Sequence, residues 1–152
     1  MTTSRSMNDD AVVDSGRSSR AVSVATIVEA LDEQVRRRGD DQFILVGNRN
    51  ISYREAQSHG YRIAGGLTAL GLSRGCRIAY LSQNRPELIG LQFGVAYAGM
   101  VTVPLNVQLV GEFLRHQVVD AQISAIAVDA TGLQALLPFI ADLHSVQHII
   151  LL

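Results

Sequence analysis

IAYLSQNRPELIGLQFGVAYAGMVTVPLN, residues 78–106, is the stretch that decides the fold. Ile78 to Leu81 is a short apolar run, followed by the polar loop Ser82-Gln83-Asn84. Pro86 stands where a helix begins, because its fixed φ suits the first turn and its missing N–H costs nothing there. Glu87 adds a negative charge at the positive end of the helix dipole. From Leu88 to Ala98 nearly every residue is apolar or small, so the helix has no wide polar face and should be buried on more than one side. Gly90, Gly94 and Ala98 recur every four residues and form a strip that another backbone can approach. Gly99 ends the helix, Val101 to Val103 is β-branched, and Pro104 should stop that strand. A strand–helix–strand unit with a helix of this kind predicts an α/β fold: a mostly parallel sheet with helices on both faces.

Upstream, Thr26 and Glu29 form a capping box. The helix it opens carries Ile27, Leu31 and Val35 on one stripe, its acids early, Arg36-Arg37-Arg38 late, and Gly39 at its end. The triple arginine reads as a solvated, dipole-matched helix end rather than a phosphate site. Phe43 to Val46 and Asn50 to Tyr53 flank the turn Gly47-Asn48-Arg49 and read as a hairpin. Ser52 and Glu55 form a second capping box. A long amphipathic helix follows, with Ala56, Gly60, Ile63, Ala64, Leu67 and Leu70 at helical spacing, closed by Gly71 and Leu72. Gly65-Gly66 lies inside this helical pattern, and no G-x-G-x-x-G follows a strand, so the pair reads as close helix packing.

Downstream, Leu109 to Arg115 opens a helix carried by Leu114, Val118 and Ala121, with His116 on its solvated side. Ile123 to Val128 is the next strand. Asp129 follows at its carboxyl end, the edge where ligands bind in open α/β sheets, although the N-cap of the next helix accounts for it better, with Thr131 near enough to share the role. Leu133, Leu136, Leu137, Ile140 and Leu143 make that helix's stripe, and Pro138 should kink or restart it. His148 to Leu152 is an apolar strand.

At 152 residues, with 47% hydrophobic residues and a formal net charge of −1, the chain has the bulk of one domain. It lacks the charge of a nucleic-acid binder and the composition of a disordered chain. Its single cysteine, Cys76, excludes an internal disulfide framework and fits a reducing cytoplasm. Cys76 has no neighbouring base in the sequence to make it a reactive thiol. No apolar run is long enough to span a bilayer. Residues 1–22 read as a flexible N-terminal tail and 23–152 as the domain. Four scattered histidines make no metal-ligand set. All 13 basic residues are arginine, so no step that needs a lysine ammonium can run within this polypeptide.

Two of these stretches resemble core motifs of the adenylate-forming enzymes, the superfamily of acyl-CoA synthetases, luciferases and peptide-synthetase adenylation domains. Asn84, Pro86 and Glu87, then Ala98-Gly99, then Val103-Pro104-Leu105-Asn106 resemble one motif. Ile51-Ser52-Tyr53-Arg54-Glu55 resembles another, usually Thr-Tyr-x-Glu-Leu, with Ala56 in place of the leucine. The spacing to Leu70-Gly71, Gly75 and Arg77 also follows the pattern, with Cys76 where aspartate is commonest. Gly111-Glu112-Phe113-Leu114 resembles the acyl-CoA ligase branch, notably carnitine/crotonobetaine-CoA and fatty-acid-CoA ligases. The resemblance covers residues 26–152.

The resemblance implies the N-terminal part of the large domain of an adenylate-forming enzyme, incomplete: a partial AMP-binding domain. The positions it picks out (Tyr53, Glu55, Gly71, Gly75, Asn84, Pro86, Glu87, Gly99, Pro104 and Asn106) are largely structural in the family. It assigns no catalytic, cofactor-binding or metal residue here. ATP, Mg and CoA are implied for the full-length family and not for this chain alone. The family's phosphate loop ending in lysine, its aromatic-Gly-x-Thr-Glu segment, its ribose-holding aspartate and its C-terminal lysine have no counterpart in these 152 residues. The expectation is a truncated, split or decayed N-terminal portion of an AMP-forming acyl-CoA ligase, inactive alone, partnered by the missing C-terminal portion or by itself. Two other classes compete: a non-catalytic interaction module that pairs with a separately encoded remainder, and a small stand-alone nucleotide-binding α/β protein.

Overall fold

The computed structural model describes residues 26–152. The tail expected over residues 1–22 lies outside the described residues, as do residues 23–25 of the expected domain. Helix α1 (Ile27–Arg38) starts in the Thr26/Glu29 capping box, each side chain bonded to the other's backbone N–H. Leu31 and Val35 are buried, while Ile27 is exposed. Glu33 takes both Arg36 and Arg37, and Arg38 donates to the Tyr53 hydroxyl at 2.9 Å.

Strands β1 (Gln42–Val46) and β2 (Arg49–Ser52) form an antiparallel hairpin apart from the main sheet. Val46 pairs with Arg49, so the loop is the two residues Gly47-Asn48 rather than three. Gly47 takes φ +58, the first-position glycine of a tight hairpin turn. Tyr53 leaves the strand, because Ser52 caps helix α2 (Tyr53–Ala69) and Glu55 closes the box.

Helix α2 ends as its sequence prescribes. Gly71, at φ +83, bonds back to Thr68, and Leu72 bonds back to Leu67, a Schellman motif. The chain then enters β3 (Arg77–Leu81), α3 (Glu87–Tyr97) and β4 (Val101–Pro104). Gly99, at φ +67, closes α3 with a second Schellman motif through Ala96 and Val95. A Cβ on Gly94 would come within 2.6 Å of Ile63 Cβ and 3.1 Å of the Gly60 carbonyl. The small-residue strip of α3 is therefore where α2 crosses it. Gly65 and Gly66 do not share that role: an added Cβ at either meets nothing within 4 Å.

Helix α4 (Gly111–Asp120) starts later than Leu109, and β5 (Ala125–Val128) later than Ile123. Helix α5 (Ala130–Leu136) gives way at Pro138 to a 3-10 helix over Leu137–Asp142, with Phe139 off helical geometry. The break expected at Pro138 turns Phe139 inward and leaves Leu137 and Ile140 exposed, so these two do not belong to the apolar stripe. The last strand is β6 (His148–Leu151).

The four main strands are parallel, in the order β4-β3-β5-β6. Pleat alternation sends their side chains into two cores. Ala79, Leu81, Ile126 and Val128 meet Leu114, Val118 and Leu136 on one face. Ile78, Ala125 and Ala127 meet Leu67, Leu88, Leu91 and Val95 on the other. Pro104 is the last residue of β4 and stops the strand as expected. Val101 donates to the Cys76 carbonyl just before β3 and Leu105 to the Tyr80 carbonyl within it, so the backbone N–H positions of Thr102 and Pro104 face the open edge, where a missing N–H breaks no ladder bond.

Candidate functional site

The carboxyl ends of parallel strands are where an open α/β sheet presents its loops. After β5, Asp129 caps α5 by accepting from the Gly132 N–H at 2.7 Å. Its other oxygen accepts from the Ser82 hydroxyl and the Gln83 N–H, both at 3.0 Å. The two backbone donors, then the hydroxyl, hold the Asp129 carboxyl below its ordinary range against the opposing effect of burial. One carboxylate thus ties the loop after β3 to the helix after β5. Gly132 permits the approach, since a Cβ there would overlap the Leu81 carbonyl. Beside this clamp is a cleft of about 70 Å³ lined by Gln83, Val107, Val110 and Thr131. Thr131 itself takes no part in capping.

After β4, the Asn106 side chain accepts from the Gln108 N–H at 2.9 Å and its carbonyl accepts from the Leu109 N–H, which folds the loop into a turn. Asn84 is exposed and lines a second pocket, about 330 Å³, with Tyr80, Arg85, Pro86 and Gln92. Pro86 sits immediately before α3 in helical geometry. Glu87 accepts from Arg85 Nε at 3.0 Å, and that contact lowers its carboxyl from the usual value. Arg85 also donates to the Leu152 carbonyl at 3.3 Å, so one guanidinium joins the start of α3 to the end of β6.

The other positions singled out in the sequence lie elsewhere. Tyr53 stacks on Phe43 with centroids 4.5 Å apart, beneath the Arg38 guanidinium. Glu55 caps α2. Gly75, at φ +85, donates to the Gly99 carbonyl at 3.0 Å, at the amino end of the sheet with Gly71. Cys76 is there too. Its thiol lies 3.6 Å from the Ser73 hydroxyl, which lowers its pKa, and its N–H still closes the turn on the Ser73 carbonyl.

The structure thus gathers Asn84, Pro86, Glu87, Pro104 and Asn106 toward one edge of the sheet and places the remaining motif positions away from it. Sequence reasoning missed Ser82, Gln83 and Gly132 as partners of Asp129. The Asp-x-x-Gly spacing signals the cap, but nothing local signals the bond across the sheet. His116 is exposed, and among the described residues no His, Cys, Asp and Glu group could hold a metal ion. The arginines Arg36, Arg37, Arg54, Arg85 and Arg115 are each engaged by a carboxylate of the chain. No helix among them is long and apolar enough to cross a membrane.

A family model described as AMP-binding enzyme matches residues 31–152. The chain is 30% identical over 92 residues to the 3-hydroxybenzoate–CoA/4-hydroxybenzoate–CoA ligase of Thauera aromatica, a match covering 60% of this chain and 18% of that protein. It is 28% identical over 127 residues to the long-chain-fatty-acid–CoA ligase of Escherichia coli, covering 83% of this chain and 22% of the ligase. The fold matches the N-terminal domain of FACL13 from Mycobacterium tuberculosis with a TM-score of 0.78 at 23% identity, over 84% of this chain and 34% of that one. The chain spans about a fifth of the length of these curated relatives.

Proposed function

Because the chain belongs to the AMP-binding enzyme family, we propose that residues 26–152 form one wall of the large domain of an ATP-dependent, AMP-forming acyl-CoA ligase. The observation that carries this reading is the family match across the parallel sheet and all of its carboxyl-edge loops. The whole enzyme would join a carboxylate to ATP, release pyrophosphate and hold an acyl-adenylate, from which the thiol of CoA then displaces AMP. None of the described residues is a catalytic residue of that reaction. The motif positions from Tyr53 to Asn106 shape and fasten the wall. The groups that grip the phosphates come from outside these 152 residues, on the same or another polypeptide. Supporting this, the chain has no lysine, and phosphoryl chemistry is chiefly positioning and charge neutralisation. The relatives are named for aryl and for long-chain acyl groups alike, so the reading stops at carboxylic acids as a class.

The test is a thermal melt with Mg-ATP, AMP or CoA. A ligand that binds only the folded state adds about 2.7 kcal/mol at a hundredfold excess over Kd, a clear shift. The 152-residue chain alone is expected to show none, and no carboxylate-dependent pyrophosphate exchange. Exchange is expected only when the whole C-terminal remainder of the enzyme is supplied as a second polypeptide. Exchange by the chain alone would overturn the reading.

A further inference from the structure

Helix α3 has no polar face because it is packed on three sides. Leu88, Leu91 and Val95 meet the sheet, and Gly90 and Gly94 meet α2. The third stripe, Ile89, Phe93 and Tyr97 at helical spacing, lies against Leu31 and Val35 of α1. That contact belongs to neither core of the sheet. Leu31 and Val35 are the buried residues of α1, and a helix this short is marginal without the surface it packs on. Two polar fastenings complete the contact. In the middle of α1, Asp32 accepts from the Tyr97 hydroxyl of α3 and, at 2.9 Å, from the Gln57 amide of α2. All three side chains are half-buried. Past the end of α1, Arg54 in the first turn of α2 donates from its N–H to the Gly39 carbonyl at 2.9 Å and from Nε to Asp40 at 2.8 Å. The Tyr53 N–H donates to the Asp41 carbonyl at 3.3 Å, and Arg38, over the Tyr53 ring, belongs to this end as well.

The two fastenings differ in what they need. The bonds of Arg54 and Tyr53 hold residues 39–41 whether or not α1 is docked. The Asp32 bonds and the Leu31 and Val35 contacts are lost together once α1 lifts. We propose that α1 is a hinged cover over the Ile89–Phe93–Tyr97 stripe of α3. It turns about Gly39-Asp40-Asp41, which Arg54 anchors to α2, and Asp32 is its latch. The cover opens while the sheet and both of its cores stay folded, a local opening well below the cost of global unfolding. Opening returns Asp32, Gln57 and Tyr97 to water, which replaces the bonds they give up. It bares Phe93, which is 6% exposed when the cover is closed. The hairpin stays in place, with Phe43 stacked on Tyr53.

The test is amide hydrogen exchange along the 152-residue chain, in water and in low urea, where the rate reports the opening equilibrium. Amides of residues 30–38 should exchange faster than those of β3 and β5, and with a shallower dependence on urea, because little surface is exposed when α1 alone lifts. Asp32→Ala should speed exchange in α1 by roughly tenfold or more. Tyr97→Phe removes one of the two bonds to the latch and should speed it less, and adding it to Asp32→Ala should change little further. Leu114→Ala, in the sheet core, should speed exchange in β5 and leave α1 unaltered, because that core is damaged equally whether the cover is open or closed. An α1 that quickens together with β5 in Leu114→Ala opens only by global unfolding, which overturns the proposal. So does an α1 that shares the urea slope of β5 in the parent chain, a comparison that needs no variant to fold. Unchanged exchange of α1 in Asp32→Ala overturns the assignment of the latch.

Discussion

At the scale of single residues, Asp129 is the side chain on which most of the carboxyl edge depends. Asp129→Ala removes a helix cap and leaves the Gln83 and Gly132 N–H groups without an acceptor, so it should cost about 1–2 kcal/mol in urea unfolding at neutral pH. Asp129→Asn keeps an acceptor oxygen and should cost less. The pH dependence separates the two roles. The folded pKa of Asp129 is depressed, so its contribution is present above the ordinary carboxyl value and is lost as pH falls through the folded one. The wild-type chain should therefore shed more stability on acidification than Asp129→Asn, and equal acid limbs would show that the carboxylate charge is immaterial. The cap was legible in the sequence because capping is local. The bonds from Ser82 and Gln83 were not, because they depend on β3 and β5 being neighbours, and strand order cannot be read from either strand. The contact of the Tyr97 hydroxyl with Asp32, which pins α1 to α3, was hidden for the same reason. Burial, then that carboxylate, raises the Tyr97 pKa well above its usual value.

Among elements, the α2–α3 crossing is the tightest joint. Gly94→Leu must displace Ile63 and lift α3 from α2, at about 1–3 kcal/mol. A variant as stable and soluble as the parent would show that the helices do not meet at this strip. The exposed edge makes a second prediction. Leu151→Lys should lower the sedimentation-measured self-association of the chain and leave its circular dichroism unchanged, because a charge on an open strand edge discourages pairing. The burial of α3 was plain in the sequence, since a helix with no polar face has nowhere else to go. In the α5 region the break at Pro138 was legible, but the placement of Leu137 and Ile140 in the stripe was not right. Leu133, Leu136, Leu137, Ile140 and Leu143 keep helical spacing on paper, but Pro138 resets the phase, and Phe139 takes the inward place instead.

For the whole molecule, the two cores share one set of strands, with Ile78 and Ala79 pointing to opposite sides. Damage to either core should therefore lower the same transition. Leu114→Ala on one face and Leu91→Ala on the other should each cost about 2–5 kcal/mol and keep a single unfolding step by calorimetry. Two separated transitions would mean that the faces fold independently. The parallel sheet was legible from one strand–helix–strand stretch, while the order β4-β3-β5-β6 was not. That order has a consequence for how the chain is made. The strand–helix–strand unit ending at Pro104 is contiguous, so its blunted side is finished as soon as those residues leave the ribosome. Every later strand then joins the other flank, β5 first and β6 outside it, and the sheet widens in one direction as synthesis proceeds. Nascent chains stalled just after Pro104 has emerged should already protect α3 from protease, and β5 and β6 should add protection in turn. If α3 stays cleavable until β6 has emerged, assembly is not sequential in this way.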